Sequence, residues 1–177
     1  MKLKIAYYGE KILRQKTKPV EIIDEALKKF ADDMIETMYA NNGMGLAAPQ
    51  VFDDRAIIIV AFPRNNDDGE FHLDPPKVYL NPKVVWYSEE TSIVNEPCIS
   101  IPRLCEPVLR SVKIVIEYMD LDGKHHREEH EGMDARVLMH EIDHINGILY
   151  IDRMPDKKRR KMIEPALQRI KKKYTKS

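Results

Sequence analysis

The chain holds only two cysteines, Cys98 and Cys105. That is too few for a disulfide framework and excludes the small secreted scaffolds that depend on one. Long apolar runs are also missing. The longest, Ala56 to Phe62, falls far short of the roughly 20 residues that span a bilayer. Met1 to Lys11 carries charges throughout and lacks the apolar run of a secretory signal. A cytoplasmic location is expected, with neither membrane nor DNA as a partner. Net charge is absent too, since 29 basic residues balance 29 acidic ones.

That balance hides an asymmetry. Residues 157–177 hold ten of the bases and one acid, Glu164, which leaves 19 bases and 28 acids elsewhere, a net of −9. An acidic body with a basic tail suggests a polyanionic partner for the tail; a solvated helix face is the plainer reading. With 177 residues, 43% hydrophobic and 33% charged, the chain has the composition of an ordinary globular protein. A chain of this length buries roughly two-thirds of its unfolded surface. It needs no structural metal to fold, so any metal site points to function.

The pattern predicts α+β architecture: mainly antiparallel sheets around a central metal-binding helix, an N-terminal helix and a C-terminal helical tail. A first helix is expected over about Asp24 to Ala40, where Leu27, Phe30, Ala31, Met34, Ile35 and Met38 recur at three- and four-residue steps. Asp24 can cap it, and Asn41, Asn42 and Gly43 end it. Ala56 to Ala61 reads as a buried strand, Arg64 to Gly69 as a turn. Val78 to Leu80 and Lys83 to Tyr87 read as two strands separated by Asn81-Pro82. Val112 to Met119 and Lys124 to His130 form a hairpin. A second helix covers about Met133 to Asn146 and stops at Gly147. The tail carries a helical stripe that Pro165 should kink or divide. The catalytic unit is expected over residues 1–156, with 157–177 as an extension rather than a separate domain.

The segment M-H-E-I-D-H (Met139 to His144) carries the chemistry. His140 and His144 are four apart, so on a helix they share a face and can bind one metal ion. Glu141 follows the first ligand directly, where a carboxylate can take a proton from water activated by the metal. Three protein ligands are usual at a catalytic site. Asp152, Asp156 and Glu164 lie downstream. Upstream lies Cys98 within N-E-P-C-I-S-I-P (Asn95 to Pro102); a lone cysteine is commonly a small buried apolar residue. A third segment, G-M-G-L-A-A-P-Q (Gly43 to Gln50), has glycines that permit close backbone approach and an amide at Gln50. It has neither phosphate-loop nor dinucleotide spacing, and alone it reads as a tight loop after a helix.

Together the three segments resemble the peptide deformylase family, whose motifs are G-x-G-L-A-A-P-Q, E-G-C-L-S and Q-H-E-x-D-H-L in this order. Here they read G-M-G-L-A-A-P-Q, E-P-C-I-S and M-H-E-I-D-H-I. The likeness extends through Ile12 to Arg14, Leu80 to Pro82, Arg110 and Gly147 to Arg153. Pro97 replaces the glycine before the cysteine, and Met139 stands where glutamine is common. Neither change removes a ligand or the base.

The resemblance implies removal of the N-formyl group from the initiator methionine of nascent polypeptides, with release of formate. It implies Cys98, His140 and His144 as metal ligands and Glu141 as general base. The oxyanion would meet the Gln50 amide and the Ile99 backbone N–H. Gly45 and the Pro97 carbonyl would hold the peptide as an added strand. Met44, Val94 and Val137 would wall the methionine pocket, and Arg110, between Glu96 and Asp143, would support the ligands. A Cys-His-His set suits zinc by ligand chemistry, whereas the resemblance implies ferrous iron, with zinc or nickel in preparations. It also implies a ribosomal contact for the tail. A zinc peptidase shares the helix motif but needs neither Cys98 nor the complete first motif. An impaired relative acting as a binding protein would be expected to lose a ligand or Glu141, and all four are kept.

Overall fold

The computed structural model describes residues 1–66 and 68–175. Its elements, in chain order, are α1 (Glu25–Ala40), β1 (Gly45–Ala47), β2 (Ile57–Val60), β3 (Pro63–Asn65), β4 (Phe71–Leu73), β5 (Lys77–Tyr87), β6 (Thr91–Cys98), β7 (Ile101–Ser111), β8 (Lys113–Met119), β9 (His125–Glu131), α2 (Gly132–Ile145), α3 (Lys157–Met162) and α4 (Glu164–Tyr174). One antiparallel sheet runs β1-β2-β5-β8-β9; β3-β4 and β6-β7 form separate two-stranded sheets. This is the expected α+β arrangement.

The strand β2 shows why its sequence is uniformly apolar. Ile57 and Ile59 face a core cluster with Leu27, Ala31, Met34 and Met38 of α1. Ile58 and Val60 face a second cluster with Leu138, Met139, Ile142 and Ile145 of α2. A strand covered by a helix on each face loses the alternation of a half-exposed one. Helix α1 starts where Asp24 accepts a hydrogen bond from the Leu27 N–H at 2.8 Å, satisfying a donor that the first turn leaves unpaired. It ends at Asn41, followed by Asn42 at φ 54°. Helix α2 ends at Gly147, φ 73°, where a Cβ would lie 2.7 Å from the Arg14 carbonyl oxygen, so only glycine fits.

The strands depart from expectation in three places. Val78 to Leu80 and Lys83 to Tyr87 are one strand, β5, with a register shift between Leu80 and Lys83. Asn81 takes φ 52° and its amide bonds the Val20 backbone at 2.7 and 2.9 Å. Asn81-Pro82 is therefore a bulge within a strand rather than a break. Arg64 to Gly69 is expected to turn, but Pro63–Asn65 pairs with Phe71–Leu73, which narrows the turn; Asp67 lies outside the described residues. The β6-β7 hairpin has no clear sequence signature, because Pro97, Pro102 and Pro107 interrupt it. A two-stranded ribbon tolerates them, since each strand has a free edge.

The tail divides as Pro165 requires, with proline in the first turn of α4. It is not a loose appendage. Ile163, Leu167 and Ile170 are buried in a third core cluster with Ala6, Leu13, Cys98, Ile101, Val108 and Tyr150. Lys176 and Ser177 lie outside the described residues. No helix among the described residues is long and apolar enough to cross a membrane.

Candidate metal centre and peptide cleft

Helix α2 carries His140, Glu141 and His144, and every residue from Ala135 to Ile145 is buried. Cys98 arrives on the end of β6, where the register shifts after Pro97 and the chain turns back so that Cys98 pairs with Ile101. Ligand atoms of Cys98, His140 and His144 all lie within 4.8 Å of one another. The Cys98 Sγ is 3.4 Å from His144 Nε2. Of the candidate third ligands, the structure brings Cys98 to the histidines; no group including Asp152, Asp156 or Glu164 meets the same criterion among the described residues.

These residues fit a metal ion on two grounds. The donor set is one thiol and two imidazoles converging in a buried spot. The Glu141 carboxyl, only 4% exposed, has Oε2 without a hydrogen-bond partner among the described residues, an expensive arrangement unless that oxygen serves the cleft. Burial pushes the Glu141 carboxyl up to about 7.

A buried ionic network holds the candidate ligand His140 and its helix. His140 Nδ1 lies 2.8 Å from Glu96 Oε2, leaving Nε2 for the centre. Arg110 donates Nε to Glu96 Oε1 at 2.6 Å, Nη2 to Oε2 at 2.9 Å, and Nη1 to Asp143 Oδ2 at 2.8 Å. Its side chain is 3% exposed, so it is no surface ion pair. Burial alone would raise the Glu96 carboxyl. Hydrogen bonds from His140 and Arg110 reverse that and hold it well below the usual carboxylate range.

Two arginines in this network escape sequence reasoning. Arg136 donates Nη1 to Glu96 Oε1 at 2.8 Å and to the Val108 carbonyl at 3.0 Å, and Nη2 to Ser92. It thereby ties α2 to both strands of the hairpin that delivers Cys98. Its position four residues before His140, on the same helix face, was the available signal. Arg153 donates to Asp143 at 2.8 Å.

The first motif forms β1 and the turn after it. Gln50 Oε1 accepts the Ala47 N–H at 2.8 Å, which aims the amide NH₂ at the centre, 3.6 Å from Cys98 Sγ and 3.2 Å from Ser100 Oγ. Gly45 has a role beyond substrate approach: a Cβ there would lie 2.4 Å from Glu141 Oε1. A cleft of about 380 Å³ opens over the centre, lined by Met44, Gly45, Gln50, Pro97, Cys98, Ile99, Val137, His140 and Glu141 among others. Tyr7, Met133 and Arg136 also line it, unforeseen from sequence. Val94, expected in the methionine pocket, is not among the lining residues; it pairs with Val108 along the hairpin. Met139, on α2, packs into the core.

Residues 2–160 match the family model for polypeptide deformylase. The chain belongs to the polypeptide deformylase family. A peptide deformylase from Bradyrhizobium diazoefficiens is 41% identical over 155 residues, covering 88% of each chain. Among solved structures, the Thermotoga maritima deformylase is 38% identical with a TM-score of 0.79, over 88% of this chain and 99% of that one. The Plasmodium falciparum deformylase is 30% identical with a TM-score of 0.87, over 97% of both. This deformylase family member is accordingly a metallo-hydrolase that removes the N-formyl group from formyl-methionine at polypeptide N-termini, with a site for a single metal ion.

Proposed function

We propose that Cys98, His140 and His144 hold the metal and that Glu141 is the general base for hydrolysis of the formyl amide. The convergence of Cys98, His140 and His144 in one buried spot, with Glu141 beside Cys98 and His140 in the lining of the cleft, carries the reading. When bound, the ion supplies Lewis acidity and brings the pKa of water to about 7. Glu141 takes the proton and returns it to the leaving amine. A carboxyl held near neutrality suits both transfers. The Gln50 amide, fixed by Ala47, is a preset donor to the developing oxyanion, and the Ile99 N–H a second. The strand β1 ends its sheet and β6 ends its ribbon. A substrate peptide can therefore lie between Gly45 and the Pro97 carbonyl as an added strand. Met44, Met133 and Val137 supply apolar walls for methionine. Glu96, Arg110 and Asp143 keep the ligands oriented.

We assign ferrous iron as the physiological metal, nascent chains in the cytoplasm as substrate, and residues 1–156 as the catalytic unit with 157–177 as its extension. Protein prepared anaerobically, stripped and reloaded with iron, nickel or zinc, then given formyl-Met peptide, should release formate fastest with iron. Absence of formate with every metal would refute the reading. The basic extension is proposed to touch the ribosome. Lys157, Lys158, Lys161, Lys172 and Lys173 make no salt bridge among the described residues, whereas Arg159 and Arg160 pair with Glu106 and Glu164. Deleting the extension would strip Ile163, Leu167 and Ile170 from the core, so the test is charge reversal at Lys157, Lys158 and Lys161. Salt-dependent ribosome binding should weaken; unchanged binding would refute the contact.

A further inference from the structure

Helix α4 does more than bury Leu167 and Ile170. The N-terminal segment 6–9 runs between it and the cleft. Ala6 donates its N–H to the Gln50 carbonyl and Tyr8 donates its N–H to the Ser100 carbonyl, each at 2.8 Å. These bonds fix the backbone on either side of Tyr7 to the two segments that flank the metal centre. Tyr7 itself lines the cleft. Its ring stacks on Tyr174, in the last turn of α4, with centroids 4.2 Å apart and planes at 26°. One turn earlier, Lys171 lies so close to the loop that a Cβ on Gly9 would fall 2.5 Å from Lys171 Cγ. Gly9, at φ 108°, lets α4 approach to this distance. Ala6 shares a core cluster with Leu167 and Ile170. The end of α4 is therefore seated on the segment that presents Tyr7.

Resting on the deformylase reading above, we propose that α4 completes the peptide cleft: Tyr174 holds Tyr7 as the contact for substrate residues downstream of the formylated methionine. The division of the cleft supports this. Its α2 wall supplies Met133 and Val137, which with Met44 accommodate the methionine side chain. Tyr7 comes from a different part of the chain, the N-terminal segment bonded to Gln50 and Ser100, and lines the same cleft, where it would meet the substrate residues beyond methionine. A tyrosine ring offers broad apolar area with little rotamer freedom to lose. Such a contact accepts many side chains, as an enzyme acting on diverse polypeptides requires. Tyr174 is then a positioning residue and Tyr7 a substrate contact.

The test uses full-length, metal-loaded protein and two substrates, formyl-Met-Ala and formyl-Met-Ala-Phe-Ala. In Tyr174→Ala, the KM for the tetrapeptide should rise roughly three- to tenfold, the scale of one aromatic contact, with kcat unchanged. The dipeptide, which offers only one alanine methyl beyond methionine, should show a KM change of less than about twofold. Tyr174→Phe keeps the stack and should match wild type on both substrates. Tyr7→Leu, which leaves α4 intact, should reproduce the tetrapeptide-selective loss. The Kd of the product Met-Ala-Phe-Ala, read by calorimetry, should rise by the same factor in Tyr174→Ala and Tyr7→Leu. Equal losses on both substrates, or no loss on either, would overturn the proposal. If wild type released no formate from either peptide, the deformylase reading would fall, and the product Kd values alone would decide this one.

Discussion

Replacing Gly45 with alanine places one methyl group against the proposed base. The added Cβ would lie 2.4 Å from Glu141 Oε1, 2.7 Å from Cγ and 2.8 Å from Cδ. Ordinary contact begins near 3.4 Å, so the carboxylate must withdraw by about 1 Å. Gly45 cannot yield instead, because β1 is paired with β2 from Gly45↔Val60 to Ala47↔Ile58. Nor can Glu141 swing freely on a helix buried along nearly its whole length. Misplacing a reacting group by 1 Å can cost on the order of 10²-fold in rate. The expected result for Gly45→Ala is a fall of about that size in kcat, with fold and metal content unchanged. Formate release at saturating formyl-Met peptide measures it, beside metal analysis and circular dichroism. A kcat within threefold of wild type would show that Glu141 is not pinned against β1. A rise in KM alone would mean that Gly45 matters only as part of the peptide groove.

Cys98→Ser should lose metal and activity while Cys105→Ser, which is exposed, keeps both; metal analysis of the two variants decides it. Glu96 has a folded-state pKa below its ordinary 4.5. Its contribution to stability is full above that value and is lost as pH falls toward the folded-state pKa. Melting temperature should therefore hold above about pH 5 and drop below about 4.5, with a shallower acid slope in Glu96→Gln; identical slopes would contradict this. Pro97→Gly should change kcat/KM by less than about tenfold, or roughly 1.4 kcal/mol, since proline retains the carbonyl proposed to hold the peptide.

The parts of the fold legible in the sequence are those set by local rules. Helix α1 announced itself through Asp24, its apolar spacing and the Asn41-Asn42-Gly43 stop, and α2 through its histidine spacing and Gly147. The strand β2 was visible because Ile57 to Val60 is apolar on both faces. What escaped depends on partners distant in sequence. The hairpin bearing Cys98 was hidden by three prolines that only a two-stranded ribbon accommodates. Asn81-Pro82 looked like a break because nothing local reveals that Asn81 bonds to Val20. Val94 is expected in the methionine pocket from motif position; it pairs with Val108 in the hairpin and is not among the residues lining the cleft, whereas Glu96, on the same strand face, is. Arg136 looked like one more charged helix residue until Glu96, 40 positions earlier, was seen to receive it. The tail showed its charge and its stripe, but not that the stripe docks on Ala6 to Gly9.

In the proposed reaction Glu141 moves the proton while Cys98, His140 and His144 hold the metal. Glu141→Gln, purified anaerobically, tests it through two numbers from one sample: bound metal per chain and formate released per second. Metal should equal wild type, and the rate should fall by about 10²–10⁴-fold, the usual worth of a general acid–base group. A variant retaining full metal and more than a tenth of wild-type activity would contradict the account.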